Sequence, residues 1–386
     1  YSFAIDKNYQ VYSWVAQPKA LRAATAIVTG ETTATAATTV AATSCSVRRR
    51  TDSITCICVQ REMRSHGKYQ LVKPVTFGND WMVLFDHLWV DETSGTVYFM
   101  ATKDSVLEDH LYSVSIDGTE PNTNLTRLTP LGMHVQSVTF NHDFSKFVTI
   151  RSSKNRQPIM TIHSRCPTPN SHSNTGQQQH YQEVEISFRR LTNSMSFSMT
   201  EPKFYSFTND TLETIYGSVF LPPNYDQNQQ YPCVLYVYAG PHVQLVKNAY
   251  SLHAQVRCQL LASRGFIVVL QDGRGSFNRG LKFEGYLRCR MGQFELDDQI
   301  KGIESLISGD NHQQFKLSID RLRIGVFGWS YGGYMSLCAM GQYDEFFKVG
   351  VAGAPVTAWE LYDTGYTERY MDTPDNNAEG YKMGSV

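Results

Sequence analysis

One short run, Gly328–Gly333, constrains the fold of this chain more than any other, because it sets a serine between glycines at a change of secondary structure. Residues 323–327 are an apolar, strand-like run, and residues 334–340 are typical of a helix. Strand, G-x-S-x-G turn and helix form a nucleophile elbow, whose strained serine backbone larger neighbours would obstruct. We predict that Ser330 is a nucleophile at a helix N-terminus, where the dipole favours negative charge. The alternative is a glycine-rich turn that contains a serine by chance.

The part of the chain after about residue 200 alternates strand-like and helix-like segments. Residues 266–270 are continuously apolar and β-branched, which is typical of a central strand in a parallel sheet. Residues 295–307 repeat apolar side chains at helical spacing. Further strands are predicted at 204–207, 215–221, 233–238, 323–327 and 349–353. The alternation predicts a doubly wound, mostly parallel α/β sheet, which we assign to residues 196–386.

The part before it, residues 61–195, has a β pattern. Short strands predicted at 97–101 and 111–116 are followed about 50 residues later by similar ones at 146–151 and 158–162. Repeats of roughly 40–50 residues are typical of stacked propeller blades, so we predict part of a β-propeller here. An ordinary β-sandwich is the alternative. Residues 1–60, which are Ala/Thr-rich from 21 to 44, are predicted to be low-complexity or disordered, and the arginines at 48–50 to be a solvated run.

Composition narrows the classes of partner. The net charge is −1 over 386 residues, which gives no reason to expect nucleic acid. No apolar run reaches the roughly 18–20 residues that a membrane helix needs. The eight cysteines are scattered, without a redox or zinc pattern, so free buried thiols and neither metal nor cofactor are expected. Sequons at Asn124 and Asn209 favour secretion only weakly, and we predict a cytoplasmic protein, although the sequence begins at Tyr1.

Catalysis by Ser330 requires a general base and oxyanion donors. The chain order in α/β-hydrolases is serine, acid, histidine, yet the last histidine here is His312. The expected triad is therefore incomplete, and we interpret the sequence as truncated; a pseudoenzyme is the other interpretation. The Tyr331 N–H should be one oxyanion donor. Tyr238, at the carboxyl end of a predicted strand, could supply the second, although a tyrosine at a core edge is the simpler interpretation.

An aromatic group follows the elbow at Trp359, Tyr362, Tyr366 and Tyr370. Spacings of three and four residues predict that Trp359, Tyr362 and Tyr366 share one helical face. Such a stripe is more often core packing than a binding site, but buried hydroxyls need partners, and a cleft wall beside the elbow is the second interpretation.

Four linked motifs resemble the dipeptidyl peptidase IV family of serine peptidases, in the prolyl oligopeptidase clan. They are Val237–Pro241, Asp272–Ser276, Gly328–Tyr334 and Tyr366–Met371. The likeness is nearest to the cytosolic branch that contains dipeptidyl peptidases 8 and 9. It is dense from about residue 200 to 386 and looser through residues 95–112. Residues 20–60 match nothing in the family well.

The resemblance implies an eight-bladed propeller before an α/β-hydrolase domain, and release of N-terminal dipeptides after a penultimate proline or alanine. It implies that Ser330 is the nucleophile and that Tyr238 and the Tyr331 amide form the oxyanion hole. Val356, Trp359, Tyr362 and Tyr366 would line the proline pocket. Implied partners are peptides with a free N-terminus, and a homodimer through the hydrolase domain is one assembly that it allows.

The sequence departs from the family in two respects. The acid and histidine after the serine are absent, and no Glu-Glu pair occurs to hold a substrate amino group. We therefore expect this chain to be inactive alone. Two other interpretations stay open: another serine acyl hydrolase, either an acylaminoacyl peptidase or an esterase, and a non-catalytic scaffold.

Overall fold

The structure is a computed structural model, and it describes residues 43–50, 53–60, 70–76, 81–116, 120–166, 181–186 and 199–386. Residues 1–42, which include most of the Ala/Thr-rich segment, lie outside the described residues, and so do residues 117–119 and 167–180. The elements form three antiparallel sheets and one mixed sheet with its helices.

The first sheet differs from what the sequence predicts for residues 1–60. Strands β1 (Thr43–Arg50), β2 (Ser53–Gln60) and β3 (Gln70–Pro74) pair antiparallel in that order. The segment 53–59, Ser-Ile-Thr-Cys-Ile-Cys-Val, is rich in β-branched residues, which favour strands. The low-complexity composition that precedes it therefore does not extend through residue 60, and the arginines at 48–50 belong to a strand.

Two four-stranded antiparallel sheets follow. Their strands are β4 (Val83–Asp91), β5 (Thr96–Ala101), β6 (His110–Ser115) and β7 (Thr126–Arg127), then β8 (His134–Phe140), β9 (Lys146–Ser153), β10 (Arg156–Arg165) and β11 (Tyr181–Ile186). One face of β5 packs Tyr98 against Phe140 of the next sheet, and its other face packs Phe99 against Trp81. Every residue of β5 is buried. Burial on both faces favours stacked blades over a two-layer sandwich.

The fourth sheet has six strands in the order β12-β13-β15-β14-β16-β17. They are β12 (Lys203–Thr208), β13 (Thr214–Phe220), β14 (Tyr231–Val237), β15 (Ile267–Gln271), β16 (Ile319–Trp329) and β17 (Val349–Gly353). The pairs among β15, β14, β16 and β17 are parallel, whereas β12 and β13 pair antiparallel. The predicted mostly parallel sheet is present in residues 203–353.

The helices are α1 (Tyr250–His253), α2 (Val256–Ser263), α3 (Leu281–Glu284), α4 (Glu295–Ser308), α5 (Tyr331–Gln342), α6 (Thr364–Met371) and α7 (Ala378–Met383). Helix α4 matches the predicted helix at 295–307. Short 3-10 turns occupy Gly285–Leu287 and Trp359–Leu361. Across the described stretches, no helix has both the length and the apolar character to cross a bilayer.

The stacked sheets contact the α/β part through a polar seam. Asn248 donates to a Glu108 carboxylate oxygen at 2.7 Å, and its amide oxygen accepts from the Lys154 N–H at 3.1 Å. Lys247 lies 2.8 Å from the Asp109 carboxylate. The β4–β7 core also packs against Phe277, which follows β15. Contacts of this kind fix the α/β part against the edges of the blades.

The cysteines and sequons have structural roles where the structure describes them. Cys233, Cys258 and Cys338 are buried free thiols, as predicted, whereas Cys166 and Cys289 are free but only half-buried. Burial raises the pKa of Cys233, Cys258 and Cys338 to about 12. Asn209 is also buried, and its side-chain amide donates to Asp298 at 3.0 Å. The second sequon therefore serves an internal hydrogen bond in the folded chain.

Candidate active site

The elbow lies at the carboxyl end of β16, where Ser330 has φ 57° and ψ −119° and helix α5 begins at the next residue. Its own N–H donates to the Gly353 carbonyl at 2.9 Å, which ties the turn to β17. A positive φ on a serine is strained backbone of the kind that collects at functional sites. The predicted nucleophile elbow is therefore present in the backbone geometry, and the Ser330 side chain is exposed.

Two glycines allow this turn. A Cβ on Gly328 would lie 2.1 Å from the Gly332 carbonyl oxygen, and a Cβ on Gly332 would lie 2.1 Å from the Val237 oxygen. Both obstacles are backbone atoms, which cannot rotate away. The glycines are needed so that helix α5 can approach β14 and β16 closely.

The space in front of Ser330 is a cavity of about 290 Å³. Its lining includes Ser330, Trp329, Tyr238, Leu245 and Arg257. Ser330 and Tyr238 therefore face the same cavity, which is large enough for part of a peptide.

Tyr238 reaches the site because it is the first residue after β14, the strand beside β16; Val237 is in register with Gly328. Its ring lies 6.0 Å from that of Tyr331, centroid to centroid. Burial, with a smaller contribution from Tyr362, raises the pKa of the Tyr238 phenol above its ordinary value. At neutral pH the phenol is therefore protonated and can donate a hydrogen bond.

Four aromatic residues form one contiguous surface beside the elbow, which we call the aromatic wall: Tyr331, Trp359, Tyr362 and Tyr366. The Trp359 ring stacks on Tyr366 at 6.3 Å and 17°, and lies 5.6 Å from Tyr331. The Tyr362 ring meets Tyr366 edge to face at 5.4 Å. Trp359 and Tyr331 are buried, whereas Tyr362 is 44% exposed. The wall thus has a rigid base and an accessible rim.

The predicted single helical face is wrong, although the residues do meet. Trp359 lies in a 3-10 turn that ends before Tyr362, whose φ of −91° and ψ of 168° are extended. Helix α6 begins only after Asp363, whose carboxylate accepts the Tyr366 N–H at 2.9 Å. An aspartate side chain that caps a new helix competes with continuation of the old one. The rings meet because the chain turns at Asp363.

Val356 follows β17 and is half-buried against the main core of the α/β part. That position is on the same segment as the aromatic wall, but its contacts are with the core as a whole. Its predicted role in the proline pocket stays a prediction.

Two carboxylates behind the site were missed from the sequence as functional residues. Asp272 accepts N–H bonds from Leu245 and Val246 at 2.7 and 3.0 Å, and so holds the loop that follows Tyr238. Burial raises the pKa of Asp272 to about 6. The sequence signal was its position at the carboxyl end of the apolar strand β15.

The second missed residue is Glu295, the first residue of α4. Its carboxylate accepts the Tyr331 hydroxyl at 2.5 Å and the N–H groups of Gly292 and Phe294 at 2.9 and 3.0 Å. It is fully buried. The sequence signal was weak, because an acid in the first turn of a helix also suits a solvated helix end.

A general base for Ser330 is not among these groups. The His242 ring, which follows Tyr238 along the chain, packs on Phe277 and Tyr370. Over the ranges that the structure covers, no three His, Cys, Asp or Glu side chains cluster closely enough to hold a metal ion. The site as described supplies a nucleophile, hydroxyl and amide donors, and an apolar wall.

Two family models match parts of the chain. Residues 252–386 match the prolyl oligopeptidase family, and residues 57–158 match the dipeptidyl peptidase IV N-terminal region. The chain is 40% identical to dipeptidyl peptidase 8 of Homo sapiens over 311 residues, which is 80% of this chain and 33% of that protein. The mouse protein of that name is also 40% identical, over 310 residues.

A more distant relative shows the same coverage. Probable dipeptidyl-aminopeptidase B of Arthroderma gypseum is 34% identical over 316 residues, 81% of this chain and 32% of that protein. The chain thus spans about a third of the length of the curated relatives it matches.

Proposed function

We propose that the full-length protein, whose residues 252–386 match the prolyl oligopeptidase family, is a serine exopeptidase that releases N-terminal dipeptides. The observation that carries the proposal is the strained elbow of Ser330 facing one cavity with Tyr238. The names of the relatives support a dipeptidyl peptidase over a general esterase. We propose proline or alanine before the cleaved bond, because the aromatic wall offers a flat apolar surface to a small rigid ring.

The proposed reaction is acyl transfer to Ser330. The Ser330 oxygen attacks the carbonyl carbon of the second residue as its proton leaves for a general base. The resulting oxyanion accepts hydrogen bonds from the Tyr331 N–H and the protonated Tyr238 hydroxyl. Collapse breaks the peptide bond, the base returns its proton to the leaving amine, and water then hydrolyses the dipeptidyl ester.

The general base is a group that the described residues around Ser330 do not supply. The resemblance implies an aspartate and then a histidine downstream of the serine. We therefore expect the 386-residue chain alone to leave a Gly-Pro amide intact, and measurable hydrolysis by the purified chain would contradict this. Cytoplasmic location and a homodimer through the α/β part stay predictions. Imaging of the tagged protein in cells tests the location, and light scattering, which measures molar mass in solution, tests the dimer.

The test of the proposed function is a pair of reactions on the full-length protein. A fluorophosphonate probe should label the wild type and fail to label Ser330→Ala. A chromogenic Gly-Pro amide should be hydrolysed by the wild type. Labelling without amide hydrolysis would indicate another acyl hydrolase, and absence of labelling would indicate a non-catalytic scaffold; either result overturns the proposal.

A further inference from the structure

The buried carboxylate of Glu295 is the group that the proposed reaction does not yet use. It sits behind the elbow, fully removed from solvent, and accepts three hydrogen bonds. Within the described ranges no lysine, arginine or histidine forms an ion pair with it. An unpaired buried carboxylate is costly, and an apolar side chain would serve packing alone at lower cost. A carboxylate at this position therefore calls for a role other than packing.

The direction of its hydrogen bonds indicates that role. Two of them come from the backbone just before α4, which fixes the carboxylate itself. The third comes from the hydroxyl of Tyr331, 36 residues later in the chain and directly after the nucleophile. Glu295 thus joins the start of α4 to the start of α5, across the base of the site.

Tyr331 contributes to the site twice. Its main-chain N–H is the proposed oxyanion donor, and its ring lies between Tyr238 at 6.0 Å and Trp359 at 5.6 Å. The fit is close on the remaining side, since a Cβ on Gly240 would lie 2.5 Å from the Tyr331 ring. A ring anchored at its hydroxyl end cannot swing, so both contributions depend on one anchor.

We propose that Glu295 is a positioning residue for this site. It holds Tyr331 so that the Tyr331 N–H meets the oxyanion and the Tyr331 ring completes the proline pocket. This inference rests on the proposed function. Loss of the anchor lets the ring rotate and lets the first turn of α5 relax. Proline at the cleaved position then loses more contact than alanine does, because it fills more of the wall.

Tyr334 provides a matched control in the same aromatic cluster. It is buried, its ring meets Trp359 edge to face at 5.1 Å, and its hydroxyl donates to the Gly384 carbonyl at 2.7 Å. It therefore resembles Tyr331 in burial and in a hydroxyl whose hydrogen bonding the change to phenylalanine removes, here to the Gly384 and Met291 carbonyls. Glu295 does not hold its hydroxyl.

The experiment compares E295Q, Y331F, the double variant and Y334F in the full-length protein. The first readout is the ratio of kcat/KM for a Gly-Pro amide to that for a Gly-Ala amide. A ratio measured on one preparation does not change when a variant merely lowers the folded fraction. The second readout is kcat per serine labelled by a fluorophosphonate.

We expect E295Q and Y331F each to lower kcat roughly 10- to 100-fold, with a smaller change in KM, because a displaced oxyanion donor weakens the transition state more than the substrate complex. The Gly-Pro preference should fall in both, and the double variant should be no worse than the poorer single one, because both act on the same contact. Y331F removes its donor, and the amide in E295Q has one acceptor oxygen where the carboxylate used two for the Tyr331 hydroxyl and the Gly292 and Phe294 N–H groups. Y334F should leave the substrate ratio unchanged.

Three results would overturn the inference. One is an active wild type and an E295Q variant with the same substrate ratio and the same kcat per labelled serine. Another is additive losses in the double variant. The third is a ratio change in Y334F equal to that in Y331F. If E295Q does not fold, Y331F decides the question by the same ratio. A wild type that neither labels nor cleaves would overturn the proposed function, and this inference with it.

Discussion

The most unusual feature of Ser330 is its backbone conformation. Its φ of 57° is held by a hydrogen bond to β17 and by two glycines whose missing side chains leave room for helix α5. A strained conformation of this kind costs of the order of 1–3 kcal/mol and persists only when its surroundings hold it. The surrounding strands β14, β16 and β17 do so here. Substitutions at the glycines should therefore report on the elbow directly.

Gly332→Ala should destabilise the chain by about 2 kcal/mol or more, because its Cβ would overlap a backbone oxygen that cannot move aside. The control is Gly341→Ala in the same helix, where nothing lies within 4 Å of the added Cβ. That change should be neutral or stabilising by up to about 1 kcal/mol, since alanine favours helix. Chemical denaturation measures both, and equal effects would contradict the steric account.

Asp272→Asn should change how stability depends on pH. Burial raises the pKa of Asp272 from 3.8 to about 6, so the native chain binds this proton more tightly than the unfolded chain. The stabilising contribution is complete below pH 3.8 and is lost as pH rises through about 6. The free energy of unfolding of the wild type, minus that of D272N, should therefore fall by about 3 kcal/mol over that range.

The difference between the two proteins is the quantity to measure, because His134 and His163 act in the opposite direction. Burial lowers the pKa of each to about 4, so their contribution is lost as pH falls. These histidines are common to both proteins and cancel in the difference. A difference that stays constant from pH 4 to pH 6 would contradict the assignment to Asp272.

At the scale of elements, the sequence predicted strands and helices well where one period dominates. The strands β5, β14, β15 and β17 and the helix α4 lie within two residues of their predicted bounds. The prediction is wrong at Trp359–Tyr366, where spacings of three and four predict one helix and the structure has a 3-10 turn and a separate helix. The chain does not continue as one helix because the Asp363 side chain caps a new one. The spacing of aromatic residues carries no information about such a cap.

The site was predictable only where its residues lie in local sequence motifs. Ser330, Tyr238 and Tyr331 are marked by local motifs at strand ends. Glu295 is not, because its meaning comes from a hydroxyl 36 residues away, and distance in sequence hides such a contact. Asp272 was visible as part of a motif, but its hold on Leu245 and Val246 appears only in three dimensions.

Asp363→Ala should destabilise α6 by about 1 kcal/mol through loss of its N-terminal cap. The Tyr366 N–H donates to that cap, so its loss should make the position of the Tyr366 ring in the aromatic wall less fixed. KM for a Gly-Pro amide should therefore rise in the full-length protein. The control is Asp375→Ala, which removes the same charge from an exposed position. Equal KM changes in the two variants would show that charge, rather than the cap, is responsible.

At the scale of the whole molecule, the polar seam makes the α/β part and the blades depend on each other. Glu108 is buried, so its hydrogen bond from Asn248 replaces water that it can no longer reach. The seam also includes the Asn248 N–H to the Leu107 carbonyl and the Tyr250 N–H to the Ser152 hydroxyl. Motion of the blades is therefore coupled to the segment between β14 and α2.

Asn248→Ala should lower the free energy of unfolding by about 2 kcal/mol, since it leaves a buried carboxylate oxygen without its partner. Hydrogen exchange should become faster at the amides of residues 248 and 250, which cross the seam. Asn228→Ala is the control, because that exposed asparagine bonds Asp226 in its own turn. Unchanged exchange at both amides would contradict the coupling.

The buried Asn209 has a consequence for where and when the chain can be modified. An oligosaccharide on this buried nitrogen would have to displace the side chains packed around it, among them Asp298, which pairs with Arg274 at 3.0 Å. If the chain were routed through a compartment that attaches glycans, Asn209 would be reachable only before folding. The fraction of molecules that carry sugar there would then measure how slowly the region around Asn209 folds. Each glycosylated molecule would be unable to complete that folding.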